Sequence, residues 1–152
     1  MKLLVAVLFI TLVTGSLGCL RTTTTNTCSC PDLPSFFVAP ENTLYTKGEG
    51  CMANVTCISG EGTFTRSFWN ETEIPVPIGN IRPHLYVESG TLGVPVNLYT
   101  LHGYVCENGV WYVTKYSTYG VNYIWNGVKE LKGDFDGLKS KIFTISCWVE
   151  WP

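Results

Sequence analysis

Six cysteines in the body of the chain, Cys28, Cys30, Cys51, Cys57, Cys106 and Cys147, limit what it can fold into more than any other feature. With Cys19 they make seven in 152 residues. In an oxidising compartment such a set reads as disulfides before it reads as a metal site. Six allow three bridges and leave Cys19 over. Cys28 and Cys30 stand too close in sequence to bridge one another easily, which still leaves most of the fifteen pairings of six cysteines open. A four-sulfur zinc site from Cys28, Cys30, Cys51 and Cys57 matches no common spacing. The two histidines, His84 and His102, have no acidic or cysteine neighbour at ligand spacing. Neither a metal nor a cofactor is expected.

Cys51 and Cys57 flank a glycosylation signal, Asn54-Val55-Thr56. In a strand, alternate residues point to opposite faces. Cys51, Ala53, Val55 and Cys57 therefore share a small, apolar face suited to the core, and Met52, Asn54 and Thr56 share the other, where a bulky glycan would have to lie. The two cysteines are about 20 Å apart along an extended strand, so each should fasten a different segment. Asn70-Glu71-Thr72 is a second signal. At the other end, Phe143, Ile145, Cys147, Val149 and Trp151 make one apolar face, interrupted on its polar side by Trp148.

Asn108-Gly109 is a strong hairpin signal, because both residues of the turn must take positive φ. A two-residue loop there pairs Glu107 with Val110 and Cys106 with Trp111, setting an indole across from a cysteine, as in immunoglobulin-like sandwiches. A second Asn-Gly, Asn126-Gly127, proposes another hairpin. Runs rich in Val, Ile, Thr, Tyr, Phe and Trp separated by Gly, Pro and Asn predict strands near 36–38, 51–58, 64–69, 84–88, 97–106, 110–116, 121–125 and 142–151. The one helical turn expected is Asp134 to Lys141. The fold class is all-β: a disulfide-stapled β-sandwich, immunoglobulin-like by analogy alone.

Residues 1–18 read as a signal peptide, with Lys2 before an apolar run and small residues at the cut. Residues 19–27 form a Thr-rich leader, and 28–152 the six-cysteine β domain. No later segment reaches the ~20 apolar residues of a membrane span. A net charge of −2 and 14% charged residues lack the basic footprint of a nucleic-acid binder. The chain is expected to be secreted, with an extracellular protein or glycan as partner.

Catalytic patterns are missing: there is no Gly-x-Ser-x-Gly and no His-Glu-x-x-His, and a glycan on the second sequon would crowd the adjacent Glu71 and Glu73. Asp134-Phe135-Asp136-Gly137 lacks the further carboxylates of a calcium loop and reads as a turn. The most suggestive binding feature follows Trp111. If Trp111 and Val113 face inward, then Tyr112, Thr114 and Tyr116 face outward with Tyr119 beyond them, and exposed tyrosines suit protein or sugar contact.

The signal peptide, the Thr run, the close pair Cys28 and Cys30, the Cys51–Cys57 strand with Val55, the Cys106–Trp111 hairpin and the final Ile145-Ser146-Cys147 together resemble the nematode six-cysteine domain family. That resemblance covers most of the mature chain. It implies a secreted disulfide domain and brings no catalytic residues. The expected function is a non-catalytic extracellular binding or structural module, with a secreted hydrolase or hydrolase inhibitor with a dispersed site as the alternative.

Overall fold

The computed structural model describes residues 27–58, 60, 62–80, 82–90, 93–116, 120–123 and 130–148. The expected signal peptide, Cys19, most of the expected Thr-rich leader, Tyr119, the expected Asn126-Gly127 hairpin and the segment after Trp148 lie outside them. Within them the chain is almost entirely β. Its strands are β1 (Leu44–Lys47), β2 (Ala53–Ile58), β3 (Gly62–Phe68), β4 (His84–Glu88), β5 (Pro95–Asn97), β6 (Val105–Glu107), β7 (Val110–Val113), β8 (Val121–Asn122), β9 (Glu130–Leu131), β10 (Ser140–Lys141) and β11 (Thr144–Trp148). A single helical turn, α1 (Leu98–Leu101), and three short 3-10 segments complete it.

All strand pairs are antiparallel. They form three sheets, ordered β1-β2-β5, β10-β7-β6 and β11-β3-β4-β8-β9. Val55, Leu85, Val87, Leu98, Val113 and Val121 are fully buried in one core that takes residues from every sheet. Three disulfides fasten it: Cys28–Cys51, Cys30–Cys106 and Cys57–Cys147. The last joins β2 to β11, and hence two different sheets. The likeness to an immunoglobulin domain stops at such devices. Among the described residues there are three sheets rather than two, and the tryptophan stands across from the cysteine of a different bridge.

The hairpin forms as its sequence requires. Asn108 and Gly109 both take positive φ, 51° and 80°, and Cys106 pairs with Trp111. The Trp111 indole is buried, and its Nε1 donates to the Pro31 carbonyl at 2.7 Å. Residues 53–58 alternate as their pattern predicts, with Val55 and Cys57 buried and Asn54 exposed.

Three expectations are corrected. Residues 97–106 are not one strand. The Asn97 carboxamide accepts from Tyr99 N at 3.1 Å and caps α1, which divides β5 from β6. Residues 134–141 are not a helical turn: Leu138 N bonds back to Phe135 O, and the segment ends in β10. Residues 36–38 are not a strand, because Leu33–Phe36 form a 3-10 turn with Pro34 in its first turn and only an isolated bridge, Phe37 to Ile145, follows.

Candidate functional site

β3 is built inside out. Along it Thr63, Thr65 and Ser67 face the core and are buried, while Phe64, itself buried, and the half-buried Arg66 and Phe68 occupy the opposite face. An apolar-in pattern would put the phenyl rings inside. The register explains which face wins. Val87 lies opposite Thr65 and Leu85 opposite Ser67, so the large apolar residues of β4 fill the core beside β3's small hydroxyls. β4 then presents His84, Tyr86 and Glu88 on the outer face.

The outer residues form a continuous cluster. Phe68 packs against His84 at 4.5 Å and Phe143 at 4.4 Å between ring centroids, and Phe64 meets Tyr86 edge-on at 5.1 Å. His84 lies nearly parallel to Phe143, 6.1 Å away. The Arg66 guanidinium sits 4.9 Å from the centre of the Phe143 ring, a cation–π contact, and its Nε donates to Thr144 Oγ1 at 3.1 Å. Partial burial and the Arg66 charge both hold His84 below its usual pKa. Phe143 and Trp148 remain 42% and 41% exposed, enough for each to bury further area against a partner. Trp148 also fixes Gly62: a Cβ there would stand 2.7 Å from Trp148 Cβ.

Phe143 overturns the expected apolar face of the last strand. Ile145 and Cys147 do face inward. Phe143 and Thr144, although consecutive, both touch outer-face residues. The alternation breaks where the chain leaves β10, with Ile142 turned inward, and enters β11.

Beneath this face lies a polar network. His102 Nδ1 is 2.8 Å from Thr65 Oγ1, Tyr104 OH is 2.5 Å from the same oxygen, and His102 Nε2 is 3.3 Å from the Glu88 carbonyl. A carbonyl only accepts, so Nε2 carries the proton and Nδ1 accepts from Thr65. The Thr65 oxygen then accepts from Tyr104. Burial pushes the His102 pKa down to about 4, partly opposed by the Glu88 carbonyl, and pushes the Tyr104 phenol up. Thr65 and His102 have the contact of a nucleophile and its base. All three side chains are buried, so no substrate reaches these atoms in this structure, and the network ties the α1 turn to β3. Ser67 Oγ, on the same face, has no hydrogen-bond partner among the described residues.

The residues expected to form a tyrosine face separate. Tyr112 points outward from β7, half-buried between Val105 and Lys141 on the neighbouring strands. Thr114 gives its hydroxyl to the Gly103 carbonyl at 2.7 Å. Tyr116 is buried, a correction to its expected outward position. β7 ends at Val113, and the chain turns so that Tyr116 OH reaches Ser140 Oγ at 2.7 Å while Tyr116 N bonds Asp136 Oδ1. Burial raises that phenol to about 12. Glu71 pairs with Lys141, and Glu73 accepts from Lys139 N at 2.7 Å.

Sequence reading missed the outer aromatic face. Its signal was present: hydroxyl and aromatic or basic residues alternate strictly from Thr63 to Phe68, and only the choice of buried side was open. No curated protein and no solved structure matches the chain. The family model described as TRA-1 regulated protein R03H10.4 matches residues 26–147, a span containing all six paired cysteines, and the chain belongs to that nematode cysteine-rich family.

Proposed function

We infer that this protein is a secreted, non-catalytic module that binds an extracellular protein through the outer face of its five-stranded sheet. The observation that carries the reading is β3, which buries three hydroxyls and sets Arg66 and Phe68, both half-buried, on the outer face beside the exposed Phe143. Aromatic residues and arginine are the types enriched at the centres of protein interfaces, where they supply most of the binding energy. The rings are inclined to one another by 42° to 87° at the Phe68–His84, Phe68–Phe143 and Phe64–Tyr86 contacts. A ridged surface of this kind suits interdigitating side chains better than a flat sugar ring.

Three disulfides support the secretory route, since such bonds persist in oxidising compartments. The expected signal peptide at residues 1–18 agrees with that route. Asn54 and Asn70 are both exposed, as glycan acceptors need to be. Among the described residues no helix is long and apolar enough to cross a membrane. The hydrolase reading has less support, because Glu71 and Glu73 are engaged by lysine groups and the Thr65–His102 pair is sealed from solvent.

The test is a screen of the glycosylated protein against extracellular domains and a glycan array, run beside a Phe68→Ala/Phe143→Ala variant. Ectodomain binding that the double substitution removes is expected. Glycan binding removed by the same substitution would replace protein with sugar as the partner. Binding that survives it, or no ectodomain binding at all, would overturn the assignment.

A further inference from the structure

Two of the three disulfides meet. The Sγ atoms of Cys28, Cys51 and Cys106 all lie within 4.8 Å of one another, although Cys28 is bonded to Cys51 and Cys106 to Cys30. All three residues are half-buried, Thr27 and Ser29 beside them are exposed, and the Ser29 hydroxyl is 3.6 Å from Cys106 Sγ. An open cleft lined by Thr27, Cys28, Cys30, Asp32, Lys47 and Gly50 borders one cysteine of each bridge. Cys57–Cys147 is different in kind, with both residues buried.

Thiol–disulfide exchange needs a thiolate that can reach a disulfide sulfur. We propose that the paired cystines Cys28–Cys51 and Cys30–Cys106 form a thiol-reactive site, in which a small external thiol such as glutathione starts an exchange relayed through Cys106. The external thiolate attacks Cys28 Sγ, forming a mixed disulfide there and releasing the Cys51 thiolate. That thiolate attacks Cys106 Sγ within the same cluster, forming Cys51–Cys106 and releasing Cys30 as a thiolate. Two disulfides and one thiolate enter; two disulfides and one thiolate leave. Attack on Cys51 Sγ gives the mirror outcome, with Cys28–Cys106 as the new bond.

The consequence is local. Both reactive bridges anchor residues 28–31, one to the turn before β2 and one to β6, and Pro31 accepts the Trp111 indole hydrogen bond. Exchange would shift this N-terminal strap while Cys57–Cys147 keeps β2 joined to β11.

The experiment treats the folded, oxidised protein carrying Cys19→Ser with graded glutathione at mildly alkaline pH, followed by alkylation and non-reducing peptide mapping. The expected result is a Cys51–Cys106 or Cys28–Cys106 peptide, glutathione on the remaining member of the first pair, alkylated Cys30 and an intact Cys57–Cys147. If Cys19→Ser is not produced, the natural chain with Cys19 alkylated under native conditions takes its place. Free or glutathionylated Cys28 and Cys51 with Cys30–Cys106 untouched would overturn the proposal. So would opening of all three bridges together.

Discussion

Two of the outward sheet surfaces follow opposite plans. On the sheet β10-β7-β6, Tyr112 stands between Val105 and Lys141. The lysines around it are held by Glu107, 2.6 Å from Lys139, and by Glu71, paired with Lys141. On the five-stranded sheet, β3 and β4 present Phe64, Arg66, Phe68, His84 and Tyr86, and Arg66 is spent on the Phe143 ring and the Thr144 hydroxyl. The first arrangement is an ordinary way for a sheet to meet water. The second puts hydroxyls within and aromatic rings on the outer face, where Phe64 is buried and Phe68 half-buried. The lesson is that tyrosines expected to face outward from strand alternation are weaker testimony to a binding surface than a strand whose polarity is reversed.

The largest effect tests the bridge that fastens the five-stranded sheet to the sheet β1-β2-β5. Replacing Cys57 and Cys147 together by alanine should lower unfolding free energy by about 2–5 kcal/mol, read by urea denaturation. A loss below about 1 kcal/mol, far under that disulfide range, would show that β2 and β11 stay together without their covalent link.

The interior beneath the aromatic face is tested next, through pH. His102 is held neutral, with its pKa lowered to about 4 against about 6.5 in an unfolded chain. The unfolded state therefore binds the extra proton between those values, so stability rises with pH across this window. It is fully present above about pH 6.5 and lost as pH falls toward 4, by about 3 kcal/mol at most. His102→Gln should flatten this slope relative to the natural chain, whose carboxylates titrate in both proteins. An unchanged slope would mean that the imidazole is not the group responsible.

Two single substitutions then sharpen the contrast between inside and outside. Thr65→Val removes the partner of both His102 Nδ1 and Tyr104 OH and should cost about 1–3 kcal/mol. Phe143→Ala, on the half-exposed side, should cost about 1 kcal/mol or less. A reversed order in chemical denaturation would show that the outer rings, not the inner hydroxyls, hold the sheet. The smallest effect belongs to the other surface: Lys139→Met should leave the urea midpoint unchanged, because its ion pair stands in solvent.

Sequence reading recovered what local chemistry decides. The Asn108-Gly109 turn fixed the pairing of Cys106 with Trp111, and strand periodicity separated Asn54 from Val55 and Cys57. His84–Glu88 matches its expected span. What stayed hidden depends on contacts distant in the chain. Which cysteine meets which is decided by sheet order, as with Cys57 and Cys147, 90 residues apart. Tyr116 turns inward because Ser140 and Asp136 wait for it, and β10 is too short to announce itself. The aromatic face was concealed because alternation gives two faces without saying which is buried. For Thr63 to Phe68 hydropathy alone points the wrong way, since Leu85 and Val87 have already filled the core.

The most direct measurement is a side-by-side binding titration of Phe68→Ala/Phe143→Ala and Val110→Ala/Tyr112→Ala against the ectodomain that the screen returns. Loss of at least about thirtyfold in affinity is expected for the first variant, the scale of a hot-spot truncation of about 2 kcal/mol, with no change for the second. Affinity lost only in the Tyr112 variant would contradict the assignment and move the binding surface to the other sheet.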